Sequence, residues 1–158
     1  MPNRNQKVGG ALVGAALTAA IALVAPWEGK SNRTYLDIVD IPTICYGHTG
    51  SDVRLGQTLT DEQCNKLLGA DLQEANNAVS RCIKVPLKDN ERAAFVSFTY
   101  NLGAGAFCNS TLAAKVNAGD IAGGCREMDK WVNAGGKRVQ GLVNRRAAER
   151  NVCLGGAQ

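Results

Sequence analysis

No charged residue interrupts the chain between Lys7 and Glu28. The run from Val8 to Trp27 is twenty residues long, about what an α-helix needs to cross a bilayer. Arg4 and Lys7 before it favour an amino terminus left in the cytoplasm and export of the rest of the chain, although Lys30 and Arg33 beyond it weaken the asymmetry. The run is apolar but thin. Half of it is glycine or alanine, and its strong apolar residues are Val8, Leu12, Val13, Leu17, Ile21, Leu23 and Val24. At about −0.3 to −0.6 kcal/mol each, these contribute only about −2 to −4 kcal/mol to insertion. Such a segment inserts, yet a modest compensating interaction draws it out. A signal peptide cut after Leu23-Val24-Ala25 is the competing reading. That cut would leave Pro26 first in the mature chain, so an uncleaved anchor over residues 1–27 is the expectation.

Residues 28–158 suffice for one domain with a hydrophobic core. The formal charge of +4 steers anionic partners mildly. Without a basic stripe or aromatic platform, no nucleic-acid partner is expected. Six cysteines, an even set spread along the chain, point to three disulfides and an oxidising compartment. Zinc is the competing use, but no C-x2-C pair occurs and His48 is the sole histidine. Spacing leaves all fifteen pairings of six cysteines open.

From Glu28 to about Gly56 the pattern is short and broken, with β-formers at Thr34-Tyr35-Leu36 and Thr43-Ile44-Cys45-Tyr46, so a small hairpin is predicted. Thr60-Asp61-Glu62-Gln63 has the form of a capping box. Leu67, Leu68, Leu72, Ala75 and Val79 follow at helical spacing, predicting one long helix to about Ser80. Beyond Pro86, Asp89 or Asn90 is expected to cap a second apolar helix that stops near Gly103. A third begins at Ser110-Thr111, a fourth is capped by Asp120, and Gly135-Gly136 precedes a basic last helix. The fold class is therefore α+β. A β-containing lobe (about 28–59) is joined by a connecting helix (60–80) to a helical lobe (81–158).

Cleaving a glycosidic bond ordinarily takes two carboxyl groups across a cleft, one protonating the leaving oxygen and the other supporting positive charge or activating water. Glu28, Asp37 and Thr43 stand in the pattern E-x8-D-x5-T. The two strands of one hairpin can turn these side chains toward a common groove, where the Thr43 hydroxyl can hold a water.

The motif sits between Trp27-Glu28-Gly29 and Thr43-Ile44-Cys45-Tyr46-Gly47-His48-Thr49-Gly50. Ser97-Phe98-Thr99-Tyr100-Asn101-Leu102-Gly103, Phe107-Cys108-Asn109-Ser110-Thr111-Leu112, and Gly141-Leu142-Val143-Asn144-Arg145-Arg146 with Glu149-Arg150 extend the pattern. From Trp27 to Leu154 the chain resembles the phage-type lysozymes of glycoside hydrolase family 24. The resemblance implies a lysozyme-like fold and an N-acetylmuramidase that cuts the β-1,4 bond between N-acetylmuramic acid and N-acetylglucosamine in peptidoglycan.

By that resemblance Glu28 is the proton donor, Asp37 the stabiliser or base and Thr43 the residue that positions water. Arg145, with Arg146 second, holds the acid, although a solvated helix face is the commoner fate of a basic residue. Tyr100 and Ser110 are implied sugar contacts. The resemblance orders the disulfides as Cys45–Cys64, Cys82–Cys108 and Cys125–Cys153. His48 is expected to be structural. One departure stands out: relatives often place glycine in the turn between the Asp and Thr positions, whereas Asp40 lies in that turn here.

The Gly/Ala-rich anchor resembles that of signal-anchor-release endolysins. This implies an enzyme tethered to the host inner membrane, then released into the periplasm as a soluble monomer. No cysteine precedes Cys45, so activation by refolding rather than by exchange with an anchor thiol is expected. No metal or other cofactor is needed for this chemistry. The competing class is a tethered peptidoglycan-binding or inhibitory module that kept the fold without catalysis.

Overall fold

The computed structural model describes residues 6, 7 and 9–156. Arg4 and Val8, which open the basic start and the apolar run, lie outside the described residues. In chain order the elements are β1 (Gln6–Lys7), α1 (Gly14–Val24), a 3-10 turn (Ala25–Trp27), β2 (Ser31–Leu36), β3 (Pro42–Cys45) and α2 (Asp61–Cys82). Then come β4 (Leu87–Lys88), α3 (Asp89–Leu102), α4 (Ala104–Cys108), α5 (Thr111–Asn117) and α6 (Ile121–Glu127). A 3-10 turn (Met128–Lys130), β5 (Asn133–Ala134), β6 (Lys137–Arg138) and α7 (Gln140–Cys153) complete the fold.

The apolar run is packed into the domain in this fold. No helix among the described residues is long and apolar enough to cross a membrane. The run instead forms the eleven-residue α1, about 16 Å long, whose Ala16, Ala20, Leu23 and Val24 are buried. With Leu12 they join the same core as α2 and α3. Before α1 the chain is tied down by α2 side chains. Gln73 accepts from the Leu12 N–H at 3.0 Å and donates to the Leu12 carbonyl, and the buried Asn76 donates to the Gly10 carbonyl at 2.7 Å. These amide groups satisfy backbone that would otherwise lie between helices without a partner.

α2 starts as its sequence dictates. Thr60 accepts from the Gln63 N–H, and Gln63 accepts from the Thr60 N–H, closing a capping box. The helix runs 22 residues and joins two cores. At its start Cys64 packs with Ile44, Cys45 and Val53 of the hairpin lobe, while Leu68, Leu72 and Val79 face the helical lobe. α3 is central: all nine residues from Glu91 to Thr99 are buried. Phe95 and Phe98 meet Phe107 of α4, and Phe98 meets Trp131 edge-on at 5.6 Å.

Two expectations change. α3 begins at Asp89, so neither Asp89 nor Asn90 is its cap. Lys88 holds that place, its N–H donating to Glu91 at 3.2 Å, while Asn90 donates to the Val152 and Cys153 carbonyls at the end of α7. The short helix α4, which the sequence pattern does not announce, comes directly after α3 because Gly103 turns the chain at φ +94°, a conformation that favours glycine. Ser110 and Asp120 do cap α5 and α6. Disulfides join Cys45 to Cys64, Cys82 to Cys108 and Cys125 to Cys153. They tie the hairpin to α2, α2 to α4, and α6 to α7.

Candidate active site

β2 and β3 form an antiparallel hairpin with Tyr35 opposite Thr43 and Leu36 opposite Pro42. Asp37 comes two residues after Tyr35. It lies just beyond the end of β2, and its N–H donates to the Ile41 carbonyl at 3.0 Å. Its carboxylate is fixed by the turn, with Oδ1 accepting from the Val39 N–H at 2.8 Å and the Ile41 N–H at 2.9 Å. Asp40 is a different kind of acid. It has φ +62° and its N–H donates to the Asp37 carbonyl, so it holds the left-handed turn position that glycine commonly fills. Asp40 is thus a turn residue by its backbone, and the Asp37 side chain caps the same turn. Thr43 is buried, and its hydroxyl donates to the Ile41 carbonyl at 2.9 Å, leaving its lone pairs to accept.

The Glu28 N–H closes the 3-10 turn on the Ala25 carbonyl, four residues after α1 ends. Arg145 of α7 donates from Nη1 to Glu28 Oε1 at 3.1 Å across 117 residues of sequence. Arg145 and Arg146 are buried rather than solvated. Between them lies Glu149, with no exposed surface. Its Oε1 accepts from Arg145 Nε at 3.2 Å, Arg146 Nη2 at 3.2 Å and the Ser97 hydroxyl at 2.8 Å. Arg146 also donates to Asn101 at 2.8 Å and lies over the Phe98 ring, 5.0 Å from its centroid.

Burial pushes the Glu149 carboxyl up, against the pull of both guanidiniums and Ser97. Burial lowers Arg146, which Glu149 partly offsets, while Arg145 adds to the lowering. Two fixed guanidinium charges on one carboxylate keep Glu149 an anion in our reading, since a neutral acid would leave them facing each other uncompensated.

Tyr100 of α3 is half-buried within range of the Glu28 charge. Burial and the charges of Glu28 and Asp71, opposed by Arg145, push its hydroxyl up to about 12, so it remains a neutral phenol. With His48, Thr49, Asp71, Arg81 and Thr99 it lines a groove of about 630 Å³ along α2. His48 is held by two acids: Nδ1 lies 2.8 Å from Asp71 of α2 and Nε2 lies 2.9 Å from Asp52. Ser110 is engaged locally, donating to the Phe107 carbonyl and accepting from the Ala113 N–H. Its hydroxyl starts α5.

The groove is lined by none of Glu28, Asp37 and Thr43, yet the sequence and fold match a known group of proteins. Residues 25–149 match the phage lysozyme family. The chain belongs to the phage lysozyme family. It is 42% identical over 163 residues to the SAR-endolysin of Enterobacteria phage PA-2, covering 99% of each chain. A mutant P22 lysozyme has 34% identity and a TM-score of 0.80, covering 85% of this chain and 94% of that one. The active form of the P1 phage endolysin Lyz, 22% identical, shares the fold at a TM-score of 0.73 over 93% of this chain and 97% of that one. Its secreted inactive form reaches only 0.52, over 70% and 79%. The lysozyme is a glycosidase of the muramidase kind, and its substrate is bacterial peptidoglycan.

Reading the sequence assigns no role to Glu149, Ser97 or Asp71, although the first two stand in the motifs that carry the resemblance. The first has a signal. Arg145–Glu149 is an i,i+4 pair and Arg146–Glu149 an i,i+3 pair, the spacings at which charges meet on a helix. Ser97 and Asp71 give none, because their partners lie 52 and 23 residues away.

Proposed function

We propose that this lysozyme is a signal-anchor-release endolysin in which Glu28 is the catalytic acid. Its carboxylic acid protonates the leaving glycosidic oxygen between N-acetylmuramic acid and N-acetylglucosamine, and Asp37 activates or stabilises from the opposite face while Thr43 positions the attacking water. Tyr100 is a wall for the sugar. The observation that carries the assignment is the Arg145–Glu28 contact, which pairs a partly exposed carboxyl with a buried guanidinium.

The N-terminal segment supplies the control. While it lies in the host inner membrane, α1 is missing from the core and Glu28 is held at the bilayer, away from Arg145. Leaving the membrane lets α1 dock and carries Glu28 into place, giving a soluble, monomeric enzyme in the periplasm. Burial of Leu12, Leu23 and Val24 in the core is the compensating interaction that offsets weak insertion. The greater likeness to the active than to the inactive form of the P1 endolysin supports the same reading of the fold.

Clearing of outer-membrane-permeabilised Gram-negative cells tests the acid. Wild type should clear them, and Glu28→Gln should be slower by about 10²–10⁴-fold. Equal clearing by both would move the acid elsewhere, and a folded, oxidised wild type that clears nothing would favour the binding module. Mass spectrometry of the active soluble protein should find the residues before Glu28 still attached. Their absence would replace release by cleavage.

A further inference from the structure

Arg145 is shared between two carboxylates. Nη1 reaches Glu28, and Nε reaches the fully buried Glu149. We infer that Glu149 is a positioning residue for the catalytic acid, clamping Arg145 in the geometry that holds Glu28 and withholding part of its positive charge from Glu28. The inference rests on the reading of Glu28 as the acid and extends it to a residue that touches no substrate.

Geometry carries the argument. A lone arginine side chain has several rotatable bonds and would hold Glu28 loosely. Here Glu149 and Ser97 fix Arg145 from behind, Arg146 is stacked on Phe98 and bound to Asn101, and every member of the cluster comes from α3 or α7. The cluster is complete without Glu28 and thus forms a ready socket for it. With Glu149 ionised, the socket carries a net charge of +1 from two arginines and one glutamate, which the ionised Glu28 neutralises.

Charge makes the proposal testable. The groups that face Glu28 are Arg145 on α7 and Tyr100 on α3, with Asp71 on α2 next to Tyr100; α1 carries no charge. Those that face Glu149 are Arg145 and Arg146, with the uncharged Ser97. Glu149→Gln removes the anion that shares Arg145. A more positive neighbour favours the carboxylate form of Glu28, which cannot donate a proton. The alkaline limb of the pH–rate profile should therefore move to lower pH, by about one unit. Freed of its clamp, Arg145 should hold the acid less well, so kcat should fall about tenfold while KM for soluble glycan fragments stays within about twofold. Glu149→Asp keeps the charge and should leave the limb in place.

The experiment measures initial rates of the oxidised full-length chain on solubilised peptidoglycan from pH 4 to 9, for wild type, Glu149→Gln, Glu149→Asp and Glu28→Gln. An unmoved limb in a folded Glu149→Gln protein would overturn the inference, whatever its rate. If that variant does not fold, Arg146→Met combined with Glu149→Gln removes one charge of each sign. It should keep the limb and lose kcat about tenfold, and a wild-type kcat would overturn the clamp. Activity retained by Glu28→Gln would sink the acid assignment itself. An inactive Glu28→Gln beside an unmoved Glu149→Gln limb would sink only the clamp.

Discussion

α1 and α7 both pack against the buried helix α3, and they do so by opposite chemistry. α1 brings no charge at all; it seats alanines and leucines on α3 and α2, with Leu17 over Gly69, where an added Cβ would already touch its Cδ1 at 3.5 Å. α7 buries Arg145, Arg146 and Glu149 on the same neighbour. Apolar contact is non-directional, so a helix held that way can leave for another apolar solvent at small cost. A buried ion cluster has no such alternative, because removing any member strands its partners. In the proposed release the part that moves is thus apolar and the cluster that receives Glu28 is charged, and the two meet at Glu28 itself.

The sharpest way to break this contrast is to damage the charged helix. Arg146→Ala should cost about 3–5 kcal/mol in urea unfolding at pH 7 with disulfides intact, since Glu149 loses one of two cations and Phe98 its stacked guanidinium. A loss under about 1 kcal/mol would mean that α7 is no more firmly locked than α1.

On the apolar side, Leu23→Ala should cost about 2–4 kcal/mol in the same experiment, because the side chain is buried in the core. In the membrane the same change costs only a few tenths of a kcal/mol. Cell fractionation should therefore find a larger share of Leu23→Ala retained with the inner membrane than of wild type. An unchanged share would show that docking of α1 does not set the balance between the two states.

These two helices also show what the sequence can disclose. The capping box at Thr60, the caps at Ser110 and Asp120, and the hairpin spacing are local, so they are legible from neighbouring residues. The fate of residues 8–27 is not. The same Gly/Ala-rich pattern suits a bilayer and the surface of α3 alike, and composition cannot choose between two apolar solvents. Arg145 is legible only through the resemblance, and its burial is not visible because an i,i+4 charge pair reads as a solvated face until the neighbouring helix is known. The turn acid Asp40 is ambiguous beside Asp37 until its positive φ gives it a backbone role.

A third joint, smaller than either, adds a case that pH can tune. His48 links the hairpin lobe to α2 through Asp71 while Asp52 holds the other ring nitrogen. Burial pulls the imidazole down, but the hydrogen bonds and charges of Asp71 and Asp52 outweigh it and leave His48 above its usual value. A folded-state value raised above the unfolded one means that the protonated ring stabilises the fold. That contribution is fully present below about pH 6.5 and is lost as pH rises through the raised value. The ion pairs are partly open to solvent, so about 0.5–1 kcal/mol is at stake. Unfolding curves from pH 5.5 to 8.5 should show wild type losing its advantage over His48→Asn across the upper part of that range, while its advantage over Leu23→Ala stays level. Parallel curves for wild type and His48→Asn would show that the ring acts by packing alone. The hairpin would then be joined to α2, as α1 is to α3, by contacts indifferent to protons.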